Sequence, residues 1–467
     1  MQHAQTTPAI EIELAAHLSS ARAEDIPDRA MQEAKRAVTW WTATALEGAS
    51  NPDLAPLRAY ASRHNSLEEA TLLGAGCRVV AETAGLFNGA AGKAYEHEDK
   101  FWVNESIGFA PASAVVPAAV AAAQASGSVS GRRLMAAVSL AIDLEIRLIR
   151  PLGLGFTPGR AAANATFVLG TYGAAAASAK ILGLRADATH DTLGIAHAQA
   201  AGNFQAQLEG RGVAVQCGFA VRNGIAAARI ASNGALGPSS WLAGAAGLYA
   251  THFPATPVEA ASVKDGLGRE FLGTMLGYKA YPCGIVAHPA IDAALAVGGE
   301  TEANSIAKIR VLGPPELAIM ADPISEKRRP TTSVEAAFSL PWMVACALRD
   351  GNVRLDHFGQ EALNDALLHR LAASVDIHMI HGSRGTAVEV ETYDGAVHRS
   401  QEVTFAKGHP NRPLSTPEML DTLRQAADRA GIDEPTARTA AARLESLEEC
   451  ADIDSLFSSL SGPAAAR

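Results

Sequence analysis

Aromatic residues are scarce in this chain of 467 residues, at 5%, and charged residues reach only 19%. Cysteine is rarer still: Cys77, Cys217, Cys283, Cys346 and Cys450 are odd in number, far apart and without a CxxC pair. That pattern excludes a disulfide scaffold and carries no zinc or redox-dithiol signature, so a reducing cytoplasm is the expected compartment. Basic charge is also short, with 39 Lys and Arg against 49 Asp and Glu, a formal charge of −10. General binding to nucleic acid or to an anionic membrane surface is therefore not expected, and any anionic ligand must meet a local cationic pocket. Long hydrophobic runs are missing too. The most apolar stretch, Ala110 to Ala123, is broken by Pro111 and Pro117 and falls short of the ~20 residues a membrane span requires. Met1 to Ile10 lacks the basic start and apolar run of a signal peptide.

The familiar chemical signatures are absent as well. There is no GxxxxGK[ST] phosphate loop, no HExxH, no EF-hand loop and no GxSxG elbow. Gly153 and Gly155 lie in a glycine-rich stretch, but the third glycine of a dinucleotide fingerprint is displaced and no strand-like run precedes them, so no cofactor is expected. His378 and His381 fall in or just beyond a strand-like segment, where a three-residue spacing points side chains to opposite faces. They are read as surface histidines, with no metal site.

What is present is alanine, glycine and helical periodicity. From Ala9 to about Leu272, apolar residues recur at three- and four-residue steps between Gly and Pro punctuation. Val38 to Leu46, Leu134 to Ile149, Ala174 to Leu184, Asp191 to Ala201 and Gly218 to Ser232 are the clearest helices, and this part reads as all-helical. Near residue 275 the period changes: Ala307 to Leu312 and Ser374 to Ile380 alternate β-branched residues. Ala387 to Val403 reads as a hairpin turning at Asp394-Gly395, with one face wet. Val334 to Asp350 and Gln360 to Ala373 again look helical. Beyond the Gly408 to Pro413 loop, Ser415 or Thr416 is placed to cap a helix starting at Pro417. The expected architecture is mainly α with an α+β lid: a helical domain over 1–274, an inserted α+β domain over 275–406, and a helical return over 407–467.

Three segments stand out chemically. Glu96-His97-Glu98-Asp99 packs three carboxylates and an imidazole into four residues. It reads either as a solvated helix end or as acid/base groups at the mouth of the helical body. Lys279-Ala280-Tyr281-Pro282-Cys283-Gly284, followed by His288, stands where the chain leaves that body, a setting for a cleft, although a surface lysine and a helix-start histidine are the plainer reading. Lys327-Arg328-Arg329 sets three cations on a loop of an acidic chain. It is either a grip for substrate carboxylates or a solvated basic patch.

Taken together these segments resemble the MmgE/PrpD family over nearly the whole chain. The resemblance is carried by Asn88-Gly89 leading into Glu98-Asp99, by Gly170-Thr171-Tyr172-Gly173-Ala174-Ala175, and by Gly218 to Arg229 with Leu236-Gly237-Pro238. It continues in Lys279 to Gly284 with His288 and Ile291-Asp292-Ala293, in Phe338-Ser339-Leu340-Pro341-Trp342, and in Gly408 to Pro413. It implies a helical domain with a late α+β lid, a homodimer, no cofactor, and a small di- or tricarboxylic acid that loses a proton beside a carboxylate. Glu98-Asp99 maps on the family's paired aspartates and Lys279 on its active-site lysine. Three departures stand out. The histidine of an HPSG-like segment becomes Ala110. That of a GFHPTG-like segment is missing from Gly155-Phe156-Thr157-Pro158-Gly159 or, counted back from Gly173, becomes Asn164. A lysine before the Gly218 helix becomes Val213.

A dehydratase must protonate a departing hydroxyl, whereas an epimerase needs only two proton-transfer groups and cations for an enolate-like intermediate. The missing acids therefore make epimerisation of an iminodisuccinate-like dicarboxylate the reaction expected first. Lys279, as a neutral amine, is one base and Tyr281, His97 or Asp99 the other. Arg328, Arg329 and Lys327 hold carboxylates, with Glu98 and His288 also at the substrate. The alternatives are a 2-methylcitrate dehydratase-like or aconitate decarboxylase-like lyase and a non-catalytic member.

Overall fold

The computed structural model describes residues 9–63, 67–102, 108–153, 162–299 and 301–463. By its internal contacts the chain divides into two compact units, residues 1–276 with 415–467, and residues 277–414.

The first unit is built on helices α1 (Ala9–Ser20), α2 (Asp28–Ala49), α3 (Ala81–Gly92), α4 (Ala112–Ala125), α5 (Gly131–Ile149), α6 (Ala165–Leu182), α7 (Ala186–His197) and α8 (Val213–Ser232), with α12 (Thr416–Arg429) and α13 (Glu434–Glu445) returning from the end of the chain. Small residues decide how closely these pack. A β-carbon at Gly224 of α8 would stand 2.5 Å from the Ala174 β-carbon of α6, so only glycine lets these two helices approach as they do. Alanine-rich faces thus close into a core without large side chains. Among the described residues, α6 alone is long and apolar enough to cross a membrane, and 83% of it is buried inside the unit.

Pro117 does not interrupt α4, which runs on both sides of it. Proline removes the N–H that would bond to the carbonyl four residues back. That carbonyl belongs to Ser113, and it accepts the buried Cys217 thiol of α8 at 3.5 Å, so the orphaned acceptor has a partner.

This unit is not wholly helical. Strands β1 (Ala70–Leu72) and β2 (Cys77–Val79) pair as a hairpin, and β3 (Asp99–Trp102) pairs antiparallel with β4 (Gly108–Phe109). Strands of two to four residues are too short to produce a legible alternation. The first hairpin is held by Asn88, whose Oδ1 accepts the Leu73 N–H at 3.0 Å and whose Nδ2 donates to the Thr71 carbonyl at 2.8 Å.

The second unit contains a four-stranded sheet in the order β6-β5-β7-β8. Its strands are β5 (Ile306–Gly313), β6 (Val375–Met379), β7 (Ala387–Thr392) and β8 (Val397–Arg399). β5 pairs parallel with β6 and antiparallel with β7, and β7 with β8 closes the hairpin. Gly395 takes φ +87° in its turn, a conformation that suits glycine. Helices α9 (His288–Gly298), α10 (Leu340–Asp350) and α11 (Ala366–Ala373) complete the unit, and Ile309, Val311, Val388 and Val390 of the sheet join Trp342 and Leu371 in one apolar cluster. The helical pattern from Val334 breaks at Ser339, whose hydroxyl caps α10 by accepting the Trp342 N–H. His378 and His381 are exposed.

The second unit extends to Leu414, past the limit of 406 that hydropathy suggests, because the following loop is bonded into it. The Tyr278 N–H donates to the Gly408 carbonyl at 2.9 Å, and the Lys407 N–H donates to Asp292 at 2.7 Å. Ser415 then caps α12 in a reciprocal box with Glu418.

Candidate active site

In the first unit the acid-rich segment leaves α3 at Gly92, bends over residues 94–96 and enters β3 at Asp99. An extended chain sends alternate side chains to opposite sides, and here the parity sorts the charges. Glu96, Glu98 and Lys100 line a cavity of about 180 Å³, together with Lys93, Asn164 and Gln207. His97 and Asp99 turn the other way, into the helices.

The cavity wall is an ion cluster. The Lys93 ammonium lies 2.8 Å from Glu96 and 3.0 Å from Glu98, and Lys100 reaches the same Glu98 oxygen at 2.9 Å. Burial works against the Lys93 charge, but the two carboxylates outweigh it and hold its pKa well above the ordinary value. Two fixed ammonium groups therefore stand beside carboxylates with little of their side chains exposed, where charge interactions are stronger than in water.

Behind this wall, His97 and Asp99 have structural partners. His97 Nδ1 lies 2.8 Å from the buried Glu47 carboxylate of α2, its carbonyl accepts the Trp40 indole N–H at 2.7 Å, and the Trp40 ring meets it edge-on. Its Nε2 is buried without a hydrogen-bond partner among the described residues. Asp99 accepts the Ala112 N–H at 2.9 Å and the Ser113 hydroxyl at 3.0 Å, so a carboxylate from β3 caps the N-terminus of α4, where the helix field favours an anion. Burial nevertheless dominates and pushes the Asp99 pKa up to about 6, with the neighbouring Glu98 charge adding to it. Asp99 thus titrates close to neutrality, a useful value for a proton-transfer group.

Of the three departures from the family pattern, Ala110 and Asn164 both line the cavity. Asn164 also caps α6, its Oδ1 accepting the Thr166 N–H at 3.2 Å. Val213 opens α8. The Gly155 to Gly159 segment lies outside the described residues.

In the second unit, Lys279 and His288 are fully buried. The Tyr281 hydroxyl donates to Asp292 at 2.5 Å, and the other Asp292 oxygen takes the Arg412 guanidinium at 2.5 Å. His288 stands edge-on to the Tyr281 ring at 5.1 Å. Burial, and then the Asp292 charge, raise the Tyr281 pKa far above the ordinary phenol value. Tyr281, one of three groups expected as the second base, is accordingly held as a phenol that donates to Asp292. The basic loop also departs from expectation. Lys327 donates to the Phe338 carbonyl at 2.9 Å, and Arg328 donates to the Val375 carbonyl and, at 2.8 Å, to Asp376. Two of the three cations thus hold this unit's own backbone, since carbonyls at the ends of a helix and a strand near a buried core need donors; Arg329 is exposed.

Glu47, Lys93, Asp292 and the buried Glu145 were not singled out from sequence for chemistry. The available signal was a charge inside an apolar stretch, as in Leu144-Glu145-Ile146, or beside one, as in Leu46-Glu47.

The profile of the MmgE/PrpD N-terminal domain matches residues 12–261, and that of the MmgE/PrpD C-terminal domain matches residues 281–446. The cis-aconitate decarboxylase-like protein oryM of Aspergillus oryzae is 26% identical over 97% of this chain and 97% of its own. The cis-aconitate decarboxylase of Homo sapiens is 25% identical over 94% and 92%, and that of Mus musculus is 24% identical over 76% and 74%.

Proposed function

Because this chain belongs to the MmgE/PrpD family, we propose that it is a lyase of small polycarboxylic acids, cleaving a carbon–carbon or carbon–oxygen bond beside a carboxylate. The observation that carries this reading is end-to-end likeness to proteins named for cis-aconitate decarboxylation. It takes precedence over epimerisation, the reaction expected from the missing histidines.

The chemistry of the cavity supports it. Loss of carbon dioxide leaves an electron pair on carbon, delocalised towards a remaining carboxylate, and that developing charge needs fixed cations and a proton. Lys93 and Lys100 supply the cations, already oriented by Glu96 and Glu98. In this reading Asp99, pushed up to about 6, is the acid that supplies the proton. Lys279 is then the active-site lysine that the family resemblance implies.

Epimerisation stays as a second reading on one observation. Ala110 and Asn164 line the cavity where the resemblance leads one to expect imidazoles, which leaves fewer proton donors than leaving-group chemistry favours. Proton NMR in D₂O separates the two, using purified protein with cis-aconitate, citrate, 2-methylcitrate and iminodisuccinate stereoisomers. The lyase reading expects carbon dioxide or a new alkene from a citrate-type acid. Deuterium entering the α-position with isomer interconversion and no alkene would replace it by the epimerase. Silence with every acid would leave a binding role.

A further inference from the structure

Lys327 and Arg328 are engaged with carbonyls and a carboxylate of their own unit, and Arg412 has the freedom they lack. It stands in the Gly408 to Pro413 loop, one of the segments that carry the family resemblance, and 53% of its side chain is exposed. Its Nη1 lies 2.5 Å from Asp292 Oδ2. Among the described residues no other carboxylate or carbonyl takes an N–H of this side chain. The rest of a planar fork of donors is thus unspent, in the geometry that meets a carboxylate through two parallel hydrogen bonds.

The backbone that carries Arg412 is fixed. The Gly408 N–H donates to the Arg412 carbonyl at 2.8 Å, and the Arg412 N–H donates to the His409 carbonyl at 2.8 Å. Gly408 takes φ +89°, and a β-carbon on it would overlap the Tyr278 carbonyl, so glycine lets the loop sit directly on the residue that precedes Lys279. Asp292 completes this seat. It is buried, and it accepts the Tyr281 hydroxyl on Oδ1 and both the Lys407 N–H and Arg412 on Oδ2. A buried carboxylate needs such donors. Here they come from the segment of Lys279 and Tyr281 on one side and from the loop of Arg412 on the other. A guanidinium held in this way has little freedom left to lose on binding, which favours affinity.

We propose that Arg412 binds a carboxylate of the substrate and that Asp292 is the positioning residue that holds its guanidinium in place. This rests on reading the substrate as a polycarboxylic acid, and it names the cation with which the second unit meets that acid in place of Lys327 and Arg328.

The test is isothermal titration calorimetry of the full-length protein with citrate and with propane-1,2,3-tricarboxylate, which has neither the hydroxyl nor the double bond on which a lyase acts. Arg412→Met is expected to weaken binding at least ~10-fold, the scale of one lost charge-assisted contact. Arg412→Lys keeps the ion pair to Asp292 but not the fork and should fall between R412M and the wild type. Arg399→Met removes an exposed guanidinium from β8 of the same unit and should bind as the wild type does. Asp292→Asn should weaken binding although Arg412 is still present, and wild-type affinity in D292N overturns its positioning role. Wild-type affinity in R412M overturns the assignment even where its melting temperature falls, because that is the behaviour of a purely structural ion pair. Equal losses in R412M and R399M also overturn it, since they report long-range charge and not a contact. If the wild type binds neither acid, the polycarboxylate reading fails and the assignment falls with it.

Discussion

Glu145, in the middle of α5, is fully buried, and neither of its carboxyl oxygens has a hydrogen-bond partner among the described residues. Keeping a proton on it must cost native stability, and the size of that cost follows from linkage. An unfolded glutamate titrates near 4.5, whereas burial and Asp99 raise the folded value well above it. A group whose folded pKa is raised contributes its full stability below the unfolded pKa and loses it as pH rises towards the folded one. Between the two the native state loses about 1.4 kcal/mol for each pH unit. Above the unfolded pKa the wild type should therefore lose stability steadily relative to a variant that does not titrate there. Glu145→Gln is that variant. Its amide hydrogens add a buried polar cost of about 1–3 kcal/mol, but that cost is independent of pH, so slope is diagnostic and intercept is not. Urea unfolding of both proteins from pH 4 to 8 should show E145Q gaining on the wild type as pH rises, and the two running parallel below the unfolded pKa. A constant gap across the whole range would refute the reasoning, because it would mean that Glu145 is ionised in the fold or is charge-compensated.

Gly173 of α6 seats that carboxyl, since a β-carbon there would overlap Glu145 Oε2; Gly173→Ala should therefore destabilise by about 1–3 kcal/mol through overpacking, and Glu145→Ala in the same chain should relieve part of it. Strictly additive thermal shifts in that double-mutant cycle would show that the two residues do not meet. Lys93→Met leaves Glu96 and Glu98 with a buried charge imbalance, so a loss of about 3–5 kcal/mol in urea unfolding is expected; a change below about 0.5 kcal/mol, the scale of an ordinary surface substitution, would place the cluster in solvent. In the second unit, Arg328→Ala should lower the melting temperature and leave KM unchanged, since the guanidinium holds the Val375 carbonyl and Asp376. A raised KM with unchanged stability would return Arg328 to the substrate. Lys279→Ala should abolish turnover while the circular dichroism spectrum keeps its helical signal, and near wild-type kcat would remove Lys279 from the mechanism.

Helices and the late sheet were legible because their patterns are long. α5 and α8 each repeat an apolar face for about five turns, and β5 and β7 alternate for six residues or more. β3 and β4 are not legible on that basis, since two to four residues cannot complete a pattern, and their pairing depends on neighbours brought in by the helices. The limit of the second unit was missed for a related reason. Residues 407–412 have no periodicity, and their place is decided by Asp292, more than a hundred positions away in sequence, which holds the Lys407 N–H and the Arg412 side chain.

The site shows the same division between composition and geometry. Four charged or polar residues in a row at Glu96 to Asp99 announce acid/base chemistry, but which of them face the cavity is a matter of backbone parity. In an extended segment a shift of one residue exchanges the two sets completely. The parity found puts Glu96, Glu98 and Lys100 on the cavity and leaves His97 to Glu47 and Asp99 to the start of α4. That assignment is physically the cheaper one. The inward side meets a helix N-terminus and a carboxylate with a histidine to bind, whereas the outward side meets Lys93, which needs two carboxylates to remain charged at 8% exposure. Exchanging the sets would bury Lys100 among helices and face His97 towards Lys93. The partners that fix the parity, Glu47, Lys93 and Ser113, therefore define the candidate site as much as the residues that announce it.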